Sequence, residues 1–220
     1  MAKAGMSSQL VREGSGRSGA TKQMLVEAAI ETLKAKGFSG ASARAIADQA
    51  GCNQALVFYH FGSVVNLLLA ALDDVSNSRF ERYSSALDQA STPTALVDVA
   101  ADIFREDLDA GYVTVLVEMI AGASSIPGLG PEVSARIAPW TQFARRAIGA
   151  TLGDSGLGSM VPAGQAAYGI VALYLGLEML THLDGDRAPA LALFDHARQL
   201  AVLFENLGGQ PGTTQPKEAR

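Results

Sequence analysis

The 220-residue sequence predicts an all-α fold of about nine helices, in which an N-terminal three-helix domain precedes a larger helical C-terminal domain. Three observations predict it. Apolar residues recur at three- and four-residue spacing in one run after another, the signature of one helix face. The breaks between runs are short and rich in Gly, Pro and Ser. Only Tyr112 to Val117 could pass for a strand, and one strand makes no sheet.

The elements follow in order. Residues 1–19 are polar and Gly/Ser-rich and read as a flexible N-terminal arm carrying Lys3, Arg12 and Arg17. From Thr21 the pattern turns helical, with Met24, Leu25, Ala28, Ala29, Thr32 and Leu33 on one face and Gly37 as the stop. Ser42 is the expected N-cap of a short helix ending at Gly51, and Asn53 that of a second, Gln54 to His60. Ser63 opens a long helix toward Ala86. Pro93 suits the first turn of the next run. Further runs are Thr94–Ala110, Val113–Ala123, Pro131–Leu152, Ala163–Leu183 and Ala188–Leu207. The expected division is an arm (1–19), a helix-turn-helix domain (20–66), a helical body (67–207) and a disordered tail (208–220).

Composition narrows the class. Apolar residues make up 48% and charged residues 18%, an ordinary globular balance. The single cysteine, Cys52, excludes an intramolecular disulfide framework and fits a reducing cytoplasm. No signal-peptide pattern opens the chain. The longest apolar stretch, Ala166–Leu177, is interrupted by Gly169 and Gly176 and is too short to cross a bilayer, so no membrane association is expected. The net charge of −5 is unevenly spread: residues 1–60 hold seven Lys/Arg against four Asp/Glu, a balance of +3, leaving −8 for the rest. A basic end on an acidic body suits a protein that touches phosphates with one end, although a solvated basic face has the same composition.

Residues 42 to 61 carry the function. Two short helices joined by a tight turn and packed on a third form a helix-turn-helix, hence a DNA-binding domain. Ile46, Ala47 and Ala50 hold helix against helix, Gly51 takes a left-handed turn, and Val57 and Phe61 anchor the second helix. Gln54, Ala55, Leu56, Phe58, Tyr59 and His60 are left on exposed or partly exposed faces. Gln54 can pair with an adenine edge through two hydrogen bonds, and Arg44 with a guanine edge or a phosphate. Leu56 and Phe58 suit thymine methyl groups.

These residues resemble a known family. Thr21-Lys22 through Ala28-Ala29, Gly37-Phe38, Ile46-Ala47 through Ala50-Gly51 and Val57-Phe58-Tyr59-His60-Phe61 are similar, spacing included, to the DNA-binding region of tetracycline-repressor (TetR) regulators. The resemblance implies an all-α homodimer that represses transcription from a palindromic operator and is released by a small apolar or amphipathic effector. By position it implies base contacts for Gln54, Ala55 and Arg44, and phosphate or near-phosphate contacts for Ser42, Asn53, Tyr59 and His60. Phe58 stands where a tyrosine is usual, Val64 where a phosphate-facing lysine is usual, and Cys52 replaces a common valine. Losing one lysine–phosphate contact lowers the salt dependence of binding by about one unit. Arg12 or Arg17 could compensate from the minor groove.

In the body, Ala163–Leu183 is apolar nearly all round, so it is expected to be buried on both sides. With Ala188–Leu207 it could form a four-helix bundle between two chains, as the resemblance implies; the alternative is a monomer core. The candidate effector contacts are Phe104, Leu108, Met119, Trp140, Phe143, Tyr168 and Tyr174, an aromatic and Met-containing lining. Glu118, Arg145, Glu178 and His182 are the candidate polar fixtures.

Other patterns carry less. Gly153-Asp154-Ser155-Gly156 echoes a serine-protease string but sits in a glycine-rich loop without a base. Gly156-Leu157-Gly158 follows no strand. His182, Asp184, Asp186 and His196 are irregularly spaced for a metal and read as a helix end with solvated carboxylates. No catalytic residue, metal or cofactor is expected. The rival functional class is a helical protein that sequesters a lipid or drug and carries a non-functional helix-turn-helix.

Overall fold

The computed structural model describes residues 3–152 and 162–208, and among them every regular element is a helix. In chain order these are α1 (Lys3–Gly40), α2 (Ala43–Ala50), α3 (Ala55–Phe61), α4 (Val64–Gln89), α5 (Pro93–Ala110), α6 (Tyr112–Ala123), α7 (Leu129–Leu152), α8 (Ala163–Asp184) and α9 (Ala188–Gly208). The all-α expectation is met, and Tyr112–Val117 lies in α6 rather than in a strand. The Gly153–Gly156 and Gly156–Gly158 strings lie outside the described residues, as does the tail beyond Gly208.

Among the boundaries that differ from the sequence reading are the starts of α1 and α7. α1 starts at Lys3, so residues 3–19 are helical rather than an irregular arm. That segment holds no proline, and its Ala, Met, Leu, Gln, Arg and Glu are good helix formers beside the glycines and serines. α7 starts at Leu129, with Pro131 in its first turn where a missing N–H costs nothing, and it continues through Pro139.

The chain divides into two compact units, residues 1–81 with 107–139 and residues 82–106 with 140–220. The division falls within α4, α5 and α7. In the first unit, Leu25, Ala29 and Leu33 of α1 are buried, with Ile46 and Ala47 of α2, Val57 of α3 and Leu67, Leu68, Ala71 and Leu72 of α4. Val115 and Met119 of α6 and Leu129 and Val133 of α7 complete that core. It also encloses an ion pair between Arg79 and Asp107. Such a pair adds little net stability when intact but is costly to break, because the remaining charge is buried alone.

In the second unit, Phe104 is fully buried, edge-on to Tyr174 at 5.6 Å between ring centroids and tilted against Phe194 at 5.2 Å. Trp140 and Phe143 make a second edge-to-face pair at 6.1 Å. At the start of α5 the Thr94 N–H donates to the Glu205 carboxylate of α9 at 2.7 Å. Hydrogen bonds from Thr94, and a weaker contribution from Thr92 and Arg198, hold Glu205 below the ordinary glutamate range despite some desolvation.

α8 departs from its sequence reading. Only Ala167, Glu178 and Thr181 are buried in the chain, while Tyr168, Ile170, Leu173, Leu180 and Leu183 are exposed. Within this one chain it is not enclosed on both sides. At 22 residues it spans about 33 Å and is long and apolar enough to cross a bilayer, contrary to the shorter stretch Ala166–Leu177 counted from the sequence.

Candidate nucleic-acid interface

The reading head is assembled from α2, the turn at Gly51–Gln54 and α3. Ser42 begins α2 as the sequence predicts: its backbone is extended, and its Oγ accepts from the Ala45 N–H at 3.2 Å. Gly51 closes α2 in the left-handed conformation, its N–H reaching the Ala47 and Asp48 carbonyls. Asn53 supplies the next cap: its Oδ1 accepts from the Ala55 N–H at 2.9 Å. The helix proper begins at Ala55, one residue later than expected, and Gln54 at its mouth makes no side-chain cap bond. The Gln54 amide therefore stays available for an outside partner.

Burial sorts α3 into two faces. Val57 is wholly buried against the core, and Phe61 and Leu56 are half-buried. Gln54, Ala55, Phe58 and Tyr59 are exposed, Tyr59 at 80%, and His60 is half-exposed in an edge-to-face contact with Tyr59 at 4.8 Å. A bare phenyl ring and a phenol on a 7-residue helix thus stand in water, Phe58 at 51% exposure and Tyr59 covered only at the edge by His60 among the described residues. Ser42 and Arg44 lie exposed on the preceding element, with Arg44 only loosely paired to Asp48 at 3.9 Å. All nine residues expected to face DNA thus fall within one short stretch of surface-bearing structure, and the hydroxyl hydrogen of Ser42 and the Asn53 amide remain free to donate to phosphate.

α6 supports this head from behind. α1 is interrupted at Gly37 (φ 66°, ψ −179°), which turns the Phe38 N–H out of the helical ladder. The Glu118 carboxylate accepts that N–H at 2.7 Å. Glu118 was expected as a pocket fixture; the structure spends it on the turn that leads from α1 into α2. A Cβ on Gly122, one turn further along α6, would overlap the Phe38 ring. Nothing local in the sequence marks either contact, since the partners are 80 or more residues apart.

The seven candidate effector contacts divide between the two units. Phe104, Trp140, Phe143, Tyr168 and Tyr174 belong to the second unit, and Leu108 and Met119 to the first. Phe104, Phe143 and Met119 are buried, Leu108, Trp140 and Tyr174 half-buried, and Tyr168 is 72% exposed. Phe104 and Tyr174 touch, as do Trp140 and Phe143, and Phe194 joins the first pair unannounced by sequence. Of the polar candidates, Glu178 is buried while Arg145 and His182 are exposed. The carboxylates near His182 serve the α8–α9 turn: Asp184 accepts from the Asp186 N–H and Asp186 from the Ala188 N–H, each at 2.9 Å.

Residues 25–71 match the family model for bacterial regulatory proteins of the tetR family. No curated protein matches the sequence. Solved structures share the fold. A TetR-family member from Streptomyces coelicolor aligns with a TM-score of 0.63 at 24% identity, over 83% of this chain and 96% of that one. The transcriptional regulator FadR from Bacillus subtilis, in complex with stearoyl-CoA, aligns at 0.67 and 16%, over 82% and 97%. The multidrug binding protein EbrR, complexed with malachite green, aligns at 0.59 and 22%, over 83% and 96%.

Proposed function

We propose, on the premise that this chain belongs to the TetR family through its N-terminal domain, that it is a ligand-responsive transcriptional repressor acting in the cytoplasm. The observation that carries the reading is the split surface of α3. Val57 fixes the helix to the core, while Gln54, Phe58 and Tyr59 face outward, exposed among the described residues. In the major groove Gln54 would pair with an adenine edge and Arg44 with a guanine edge or a phosphate. Phe58 would meet thymine methyl groups.

The protein would act as a homodimer. α8 and α9 expose Leu173, Leu180, Leu193, Leu200 and Leu203 within one unit, an apolar surface of the kind that marks a partner site. Two-fold pairing there would repeat α3 about one DNA turn away, roughly 34–36 Å, on a near-palindromic operator. The effector would be a small apolar or amphipathic molecule held by the aromatic groups around Phe104. FadR with stearoyl-CoA and EbrR with malachite green support that class. The effector would release DNA by its differential affinity for two states of the dimer, with α4 carrying the change from the reading head.

A gel shift with DNA flanking the protein's own gene tests this. A specific, salt-sensitive band should appear and weaken about 5- to 150-fold in Gln54→Ala, the worth of one bidentate base contact. Arg44→Ala should weaken it too. Absence of specific binding at low salt would refute the regulator and leave the sequestering protein.

A further inference from the structure

We propose that a cavity in the first unit, between α4 and the α6–α7 turn, is a second small-molecule site, and that it takes an amphipathic organic cation bearing N–H donors. The cavity measures about 470 Å³, within the range of small-molecule pockets. Its apolar wall is Val65, Leu69, Ile126 and Leu129, and its polar wall is Asn66, Asp73, Glu132 and Arg136. None of the aromatic candidates of the second unit lines it, so it goes beyond the effector reading above.

The charge pattern decides the class of ligand. Arg136 is already committed: its Nη2 donates to Asp73 Oδ2 at 3.0 Å, and its Nη1 to the Glu132 carbonyl at 2.9 Å and Glu132 Oε2 at 3.0 Å. Its Nε stands 2.8 Å from Asp73 Oδ1 as an ion-pair contact without the alignment of a hydrogen bond. The guanidinium is also the recessed member, its side chain 21% exposed against 45% for Asp73 and 59% for Glu132. An entering molecule therefore meets carboxylate oxygens, which accept more than one hydrogen bond each. Two carboxylates against one guanidinium leave a net charge of −1. An anion would be repelled, and a hydrocarbon would strip water from the carboxylates without replacing it. An ammonium or amidinium group on an apolar body satisfies both walls.

The site also adjoins the reading head. Asn66 donates from Nδ2 to the Phe61 carbonyl at 2.9 Å, tying down the end of α3, while its backbone N–H donates to Ser63 Oγ at 3.1 Å. An occupant that engages the Asn66 amide acts on the residue that closes the recognition helix.

Calorimetric titration of the full chain with tryptamine, and with indole-3-propionate as the same ring bearing the opposite charge, tests the site. Tryptamine should bind saturably at one site per chain and the acid should not. Glu132→Gln, an exposed conservative change, should weaken tryptamine about tenfold, the worth of one charge-assisted hydrogen bond. Ala70→Trp, which fills the cavity, should abolish binding, with helicity by circular dichroism checked for both variants. No binding up to roughly 1 mM tryptamine overturns the proposal. So does equal binding of the acid, or binding that survives Ala70→Trp or Glu132→Gln. No DNA enters the measurement, so failure of the operator test and failure of this one are separate results.

Discussion

Gly122 is the position where a single methyl group should unsettle the support of the reading head. A Cβ added there would stand 2.4 Å from Cδ2 of Phe38 and 2.5 Å from its Cε2 and Cγ. Carbon pairs are most favourable at about 3.5–4.0 Å, so a shift of roughly 1 Å is required. Flipping the ring about its own axis does not relieve the overlap, because Cγ lies on that axis. Phe38 must instead swing about Cα–Cβ or carry its backbone along, and its N–H is held at 2.7 Å by Glu118. Overpacking of this kind costs about 1–3 kcal/mol. For a chain of this length that lowers the melting temperature by roughly 2–12 °C. The assay is thermal unfolding followed by circular dichroism in Gly122→Ala, Phe38→Ala and the double variant. Because Phe38→Ala removes the obstacle, the double variant should be more stable than the sum of the two losses by about 1 kcal/mol or more. A melting temperature unchanged in Gly122→Ala, or simple additivity, would refute the claim that α6 abuts the α1–α2 turn this closely.

Three further outcomes follow from the structure. Val64→Lys restores a cation at the half-exposed start of α4, so the slope of log affinity for an operator against log salt should steepen by about 0.9; an unchanged slope would mean that this position faces no phosphate. Glu205 has its pKa lowered by the hydrogen bonds of Thr94, so its charge stabilises the fold fully above its ordinary value of 4.5 and the contribution is lost as pH falls through the lowered one. The melting-temperature gap between the wild type and Glu205→Gln should therefore be present near neutral pH and close in acid, and an equal gap at both would contradict it. Leu180→Glu and Leu200→Glu alter exposed positions and should leave the fold intact while converting a dimer to a monomer by light scattering; a dimer that persists in both would remove α8 and α9 from the interface.

What was legible in the sequence was local. Ser42 and Asn53 act as caps because a short polar side chain next to a helix start has nearby N–H groups to accept, and no distant partner is needed. Val57 inward and Phe58 outward follow from helical period alone. The contacts that were not legible join residues far apart. Phe38 with Glu118 spans 80 positions and Thr94 with Glu205 spans 111, and neither glutamate differs in local pattern from a solvated one. Phe194 reads as one more apolar residue of α9 until Phe104 and Tyr174 surround it. The cavity beside Asn66 was illegible for the same reason, since its walls come from α4 and from a turn some sixty residues later.

α8 shows how far composition alone can reach. A helix apolar on all sides calls for cover, and its 22 residues satisfy a bilayer as well as a partner protein. Its neighbour in the same unit separates the two. α9 exposes Leu193, Leu200 and Leu203 but also carries Asp195, Arg198 and Glu205, with Arg198 paired to Asp98 at 2.8 Å and Glu205 bound to the start of α5. Lipid around that helix would have to take in these charges at several kcal/mol of cost, whereas a second protein surface can cover the leucines and leave the charges at a wet rim. Glu178 of α8 argues the same way, because its carboxylate is buried within this chain while Leu173, Leu180 and Leu183 of the same helix are exposed. The exposed leucines of α8 and α9 are thus better matched to a protein surface than to lipid.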